Sequence, residues 1–478
     1  MNFKIVAHTL GWVLSFEAVC MILPLVCALI YSEAAFMSFL ICIAICLAAG
    51  VPLILMNNKD AKMYSREGFT IVALSWIVMS IFGALPFVIS GSIPNFINAL
   101  FETVSGFTTT GASVVADVEA LPKSILFWRS FTHWIGGMGV IVFLVAILPL
   151  SGGRNMHLVK AESPGPSVGK LVPKVRETAK LLYTIYFVLT VIEVVLLLAG
   201  DMSLFEALTI SFGTAGTGGF AVLNSSMGEY SSYIQVVVTI FMIVFGVNFS
   251  IYYLILIGKI KTAFRSSELW AYLGVIAASI FIISINCAAL FDTVAESIKH
   301  SAFQVGSIIT TTGFATTDFD KWPELSKTIL VVLMFIGASA GSTGGGIKVS
   351  RIMILLKSIV KEIKISAHPK STHKVKMDGR TIEHETIRGA NVFMISYLLI
   401  FAFSLLAVSL DNMDFTTNFT AVAATINNVG PGLAGVGPTQ NFGSYSAFAK
   451  LVFIFDMLIG RLEIFPLLVL FSPYAWKK

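Results

Sequence analysis

Charge is scarce in this chain of 478 residues: only 12% are Asp, Glu, Lys or Arg. Soluble domains carry about 25%, so an ordinary water-soluble globule is excluded. Histidine and cysteine are also few, with seven and five residues. Cys20, Cys27, Cys42, Cys46 and Cys287 lie in or beside apolar stretches, and only Cys42 and Cys46 share a one-turn spacing. They are expected to be small buried hydrophobes, not a disulfide framework or a metal site. The chain also lacks a nucleophile paired with a base: His133, the main histidine in an apolar stretch, is assigned to packing, which argues against an enzyme. Phosphate loops are missing too. Residues 341–348 (GSTGGGIK) imitate one in composition, but Ile347 separates Gly346 from Lys348 and no strand precedes them. The GTAGTGG at 213–219 lacks a Rossmann setting. The net charge of +5 is not gathered on a free domain, so no nucleic-acid partner is expected.

What the chain has is apolar length. Of its residues 56% are hydrophobic and its mean hydropathy is +0.85. Runs of the roughly 20 apolar residues needed to span a bilayer begin at 5–31 and 34–56. The first is too long for a cleaved signal and a second follows at once, so both are expected to be retained helices.

A pattern then occurs four times: a long apolar helix, a shorter semi-polar segment ending in a Thr/Gly/Asn-rich stretch, and another apolar helix. The stretches are FETVSGFTTTGAS (101–113), ISFGTAGTGGFAV (210–222), FQVGSIITTTGFATTDF (303–319) and FTAVAATINNVGPGLAGVGP (419–438). Aligned on one glycine they give Gly111, Gly219, Gly313 and Gly430, roughly 100 residues apart, a period that suggests internal duplication. Each stretch follows a segment of roughly 8–14 residues, too short to cross but long enough for a half-helix. Non-helical backbone at membrane depth must be buried in protein or line water. The predicted fold is therefore an all-α polytopic membrane protein of ten transmembrane helices: two N-terminal ones (1–66), then four pseudo-symmetric helix, pore loop, helix repeats around a central pore. The repeats are set at 67–153, 154–262, 263–365 and 366–478, the last including the cytoplasmic loop before it.

Charge placement orients this scheme. With both termini inside, the inner segments hold 25 of the 32 Lys and Arg residues, as the positive-inside rule requires. Six (Lys123, Arg129, Lys299, Lys321, Lys327 and Lys450) fall outside, and Arg461 falls within a span. Fourteen acidic residues also fall outside, among them Glu102, Asp117, Glu119 and Asp320. They are either a cation-concentrating mouth or ordinary polar loop residues.

A filter for cations replaces water by rings of backbone carbonyls, and glycine permits the close approach and positive φ that this needs. Thr109–Thr110 and Thr311–Thr312 precede two of the four glycines. A half-helix entering from outside turns its C-terminal, partly negative end to the pore, which favours a cation. The glycine-rich break at 337–346 interrupts a hydrophobic run and should leave backbone groups unpaired unless they face water. It is either a constriction below the filter or a kinked helix packed through small residues. Arg461, costing about 2.5–3.5 kcal/mol at mid-membrane, is expected to face the pore or a partner such as Asp456 or Glu463.

Together TTTGAS, TTTGFATTDF, NNVGPGLAG, GASAGSTGGGIK, WIGGMG (134–139), KAESPGP (160–166) and the late Arg461 resemble the Trk/Ktr/HKT superfamily of K⁺ transporters, most of all its bacterial TrkH branch. The resemblance spans essentially the whole chain. It implies K⁺ uptake through a channel-like pore in the bacterial inner membrane, by a homodimer with one pore per protomer. K⁺, the transported ion, would be held by Thr109, Thr110 and Gly111, by Thr217, Gly218 and Gly219, by Thr311, Thr312 and Gly313, and by Asn428, Val429 and Gly430. The gate would be Gly337, Ser339, Gly341, Ser342, Thr343, Gly344, Gly345 and Gly346, with Arg461 beside it. No cofactor is expected on this chain; nucleotide would bind a cytosolic TrkA-like ring, docked on the basic segment 348–388. Thr217–Gly218 and Asn428–Val429 depart from Thr–Thr, which predicts moderate discrimination between K⁺ and Na⁺. A symporter coupled to Na⁺ or H⁺ is the alternative, and would need a carboxylate on the pathway, for which Asp456 and Glu193 are the candidates.

Overall fold

Among the described residues six helices are long and apolar enough to cross a bilayer, and seven spans result if one pair bent by 89° is counted as a span. They belong to a computed structural model that describes residues 2–56, 65–139, 175–369 and 372–476. The motif at 160–166 and the basic residues Lys59, Lys62, Arg154, Lys160, Lys170, Lys174, Lys370, Lys477 and Lys478 lie outside the described residues. The leading spans run Phe3–Ile30 and Ala35–Leu55. They cross where Gly11 meets Gly50: a methyl group on either would lie within 2.7–3.0 Å of the other's carbonyl oxygen. Without a hydrophobic force between helices in lipid, such small-residue crossings supply the packing. All five cysteines are free and buried.

After them the element order repeats. Spans at Arg66–Ile89, Ala179–Ala199, Ser267–Asn286 and His384–Asp411 are each followed by a short helix, at Phe96–Phe107, Leu204–Gly216, Val294–Ile309 and Phe415–Ile426. With 12 to 16 residues, at about 1.5 Å per residue, none crosses a hydrocarbon core of about 30 Å. Each starts on a side-chain cap, Asn95, Ser203, Thr293 or Asp414, that accepts from the first turn. Several of their buried threonine hydroxyls bond back one turn, as Thr103 does to the Ala99 carbonyl (2.7 Å) and Thr425 to that of Ala421 (2.9 Å).

The helix after each short one stops part-way. These helices end at Gly137, Phe245, Ile336 and Leu462. The second resumes at Phe249 on an Asn248 cap, the third at Val349 after a long loop, and the fourth at Ile464 across Glu463, whose φ is +57°. Length and composition therefore count only the leading pair, the first helix of each unit and the bent pair as spans. The one sheet among the described residues is the two-residue hairpin of Lys376–Met377 with Arg380–Thr381.

Candidate functional site

The four short helices end identically. In a Schellman cap the residue after the helix turns left-handed, and two N–H groups fold back onto carbonyls of the last turn. Thr110, Gly218, Thr312 and Val429 each donate to the carbonyl five residues earlier, all at 2.8 Å. The preceding Thr109, Thr217, Thr311 and Asn428 donate to the carbonyl three residues earlier, at 3.0–3.2 Å. Those four have φ between +54° and +60°, a conformation that is a marked outlier for β-branched threonine. The next residue but one, Gly111, Gly219, Gly313 or Gly430, has φ between +76° and +96°. The residues aligned on sequence thus occupy equivalent positions in all four loops.

The loops also close a ring. A Cβ placed on Gly111 would lie 1.9 Å from the Gly218 carbonyl oxygen; on Gly219, 2.0 Å from that of Thr312; on Gly313, 2.3 Å from that of Val429; on Gly430, 2.7 Å from that of Thr110. The order is first to second to third to fourth and back to first. The carbonyl preceding each glycine sits against the glycine of the neighbouring loop, so no side chain fits at any of the four. The four glycines line one funnel of about 180 Å³. Four helix C-termini, each with a partial negative charge from its macrodipole, converge behind this ring.

The hydroxyls mostly turn into the protein. Thr110 Oγ1 meets Thr108 Oγ1 (2.8 Å) and accepts from Asn428 Nδ2 (2.9 Å), Thr312 Oγ1 meets Thr310 Oγ1 (2.7 Å), and Thr217 donates to the Gly216 carbonyl (2.6 Å). Thr109 Oγ1 is buried without a hydrogen-bond partner. The funnel differs from an acid-rich mouth. Among the described residues Arg129 is its one charged lining residue, and Glu102 neutralises it through Oε1 at 2.7 and 2.8 Å. Both are buried, so neither is the loop residue that charge counting made it. Glu102 also holds Ser113 Oγ and the Val114 N–H beyond the first glycine. Other carboxylates tie the loops into a collar: Asp117 and Glu119 bind Asn224 of the second loop, and Asp320 accepts from Ala434 of the fourth. The Asn224 hydrogen bond holds the Asp117 carboxyl below its usual range.

On the opposite side of the ring lies the break at 337–346. It begins and ends on glycines packed back to back, Gly337 (φ +70°) against Gly346 (φ +75°). Several of its backbone groups are bonded by neighbouring elements and not left to water, contrary to the expectation from sequence. Ser339 N donates to the Gly246 carbonyl, Phe249 N to that of Gly341, and Thr343 Oγ1 to that of Phe245. Ser342 Oγ bonds Ser339 O. The loop touches the ring directly: Gly345 N donates to Thr311 Oγ1 (2.6 Å) and Gly346 N to the Asn427 carbonyl (3.1 Å), while Gly344 packs on the Thr310 carbonyl.

Two cations clasp it. Lys348 Nζ donates to the carbonyls of Gly344 and Gly345. Arg461 donates to that of Thr343 (2.7 Å) and to those of Gly136 and Gly137 (2.6 Å each). The carboxylates considered for Arg461 serve elsewhere: Asp456 accepts from Ser404 (2.6 Å), and Glu463 pairs with Arg351 (2.6 Å). Lys348, assigned from sequence to a basic inner segment, is buried against the loop instead.

The family model for TrkH, a cation transport protein, matches residues 32–283 and 253–478. The Trk system potassium uptake protein TrkH of Salmonella typhimurium is 38% identical over 486 residues, covering 100% of both chains. The Trk system potassium uptake protein TrkG of Escherichia coli K12 is 34% identical over 99% of each. The crystal structure of the potassium transporter TrkH from Vibrio parahaemolyticus matches with a TM-score of 0.89 and 35% identity, covering 100% of both chains.

Proposed function

The chain belongs to the TrkH family of cation transport proteins, and on that premise we propose that it takes up K⁺ across the bacterial inner membrane through a channel-like pore. K⁺ is the cargo, exchanging its water shell for carbonyl oxygens of the four loops, from Thr109–Gly111, Thr217–Gly219, Thr311–Gly313 and Asn428–Gly430. The observation that carries this reading is the closed order in which each glycine abuts the next loop's carbonyl. With most hydroxyls bonded inward, selectivity rests on backbone, which explains how Gly218 and Val429 can stand where the other loops have threonine.

In this reading the four units are pseudo-symmetric repeats, each second helix is a broken span, and the total is ten with both termini inside. The loop at 337–346, clasped by Arg461, closes the pathway beneath the filter. The protein works as a homodimer. A TrkA-like nucleotide-binding ring docks on the basic inner segment, where Lys364, Lys374, Lys376, Arg380 and Arg388 are exposed. Symport coupled to Na⁺ or H⁺ stays the alternative, for which Asp456, accepting from Ser404 through one oxygen, and the buried Glu193 are the candidate carboxylates.

The test is K⁺, Rb⁺ and Na⁺ flux in proteoliposomes with the native chain and Gly313→Ser. The substitution should depress K⁺ flux or selectivity by about tenfold or more, given the clash and the positive φ. Unchanged flux and selectivity would remove the third loop from the filter.

A further inference from the structure

His133 lies on the helix Lys123–Gly137, fully buried between the first and second loops. Its Nδ1 is 2.7 Å from the Gly106 carbonyl oxygen, one of the two carbonyls used in the cap that turns Thr109 left-handed. Its Nε2 is 3.2 Å from the Phe220 N–H, the residue directly after Gly219. A carbonyl only accepts and a backbone N–H only donates, so these partners assign the proton to Nδ1 and the lone pair to Nε2. The ring lies flush on Gly218, where an added Cβ would be 2.3 Å from the imidazole. Phe220 packs against it at 4.3 Å between centroids and is covered in turn by the Arg129 guanidinium at 4.1 Å.

We infer that His133 is a specificity-positioning residue: its neutral imidazole braces the cap of the first half-helix against the backbone of the second loop, and so sets the carbonyl of Gly218 at the ring. It touches no ion. The second loop needs such support, since Gly218 and Gly219 bring no side chains with which to anchor themselves. This inference rests on the reading of the loops as a filter.

The variants His133→Gln and His133→Phe separate the brace from simple packing. A glutamine amide can donate to Gly106 and accept from Phe220; phenylalanine fills the space and does neither. Relative Na⁺ and K⁺ fluxes are measured on monodisperse protein in proteoliposomes, with Gly313→Ser in parallel. The Na⁺-to-K⁺ ratio should rise roughly threefold to tenfold in His133→Phe, the span of one net hydrogen bond, and stay near native in His133→Gln. A native ratio in His133→Phe, or an equal rise in both variants, overturns the brace. If Gly313→Ser changes the ratio while His133→Phe does not, only the brace fails; if neither does, the filter reading fails. A readout free of substitutions is the ¹⁵N signal of the ring in native protein: a neutral Nδ1–H tautomer is expected, and an Nε2–H tautomer contradicts it.

Discussion

Thr109, Thr217 and Thr311 hold φ near +55° to +60°, where an L-residue loses about 1–2 kcal/mol. Such a conformation persists only where its surroundings over-determine it, and here two backbone bonds per cap do so. The same dependence on a fixed surround applies to Glu102 and Arg129, paired at 2.7 Å with almost no exposure. Removing one partner strands a buried charge, at a cost of about 3–5 kcal/mol, whereas an apolar pair of similar volume is often neutral. Arg129→Met should therefore lower the thermal unfolding midpoint sharply in detergent, and Glu102→Met with Arg129→Met should recover most of the loss. A double variant no better than the single would mean that the pair is not the stabilising unit. At this scale the glycines and the residues before them were legible, because an equivalent position recurs four times at a regular interval. The pairing of Glu102 with Arg129 was not: both were counted as loop charges, and a contact 27 residues apart leaves no local period. His133 was passed over for a related reason, since without a nucleophile nearby its only sequence signal was burial.

The short helices were legible as elements too, from their length and the polar stretch after them. The breaks at Phe245 and Leu462 were not, because the polar residues beside them, Asn248 at the first and Arg461 and Glu463 at the second, are too few to end an apolar run. The first has a local and a remote cause: Asn248 caps a new helix, and Phe249 donates to the carbonyl of Gly341. The loop at 337–346 was legible as a glycine-rich interruption, while its partners on other units were not. Those partners define its mechanical role. It is bonded to the second unit through Gly246, to the fourth through Asn427, to the third loop through Thr311 and, by way of Arg461, to the first through Gly136. Deleting residues 342–344 removes the Gly344 carbonyl that Lys348 holds and the Thr343 carbonyl that Arg461 holds, and K⁺ flux measured without any regulatory partner should rise about tenfold or more if the loop is the main barrier. A folded deletion variant with native flux would strip the loop of a gating role.

For the whole molecule, the charge asymmetry predicts orientation independently of the ring. Because all five native cysteines are buried, single exposed cysteines report sidedness cleanly. Ser225→Cys, at an exposed position next to Asn224, should react with a membrane-impermeant maleimide from outside intact cells. Lys374→Cys, beside the hairpin, should react only in inverted vesicles; the reverse pattern would refute the assigned topology. The central claim is that four loops of one chain close on a single axis and hold a cation between their carbonyls. Crystals grown or soaked in Rb⁺ or Tl⁺ test it most directly, through the ion's anomalous signal. The account predicts a peak on the axis, enclosed by the carbonyl oxygens of Thr110, Gly218, Thr312 and Val429. An empty ring, with the ion held only at carboxylates elsewhere, would contradict it.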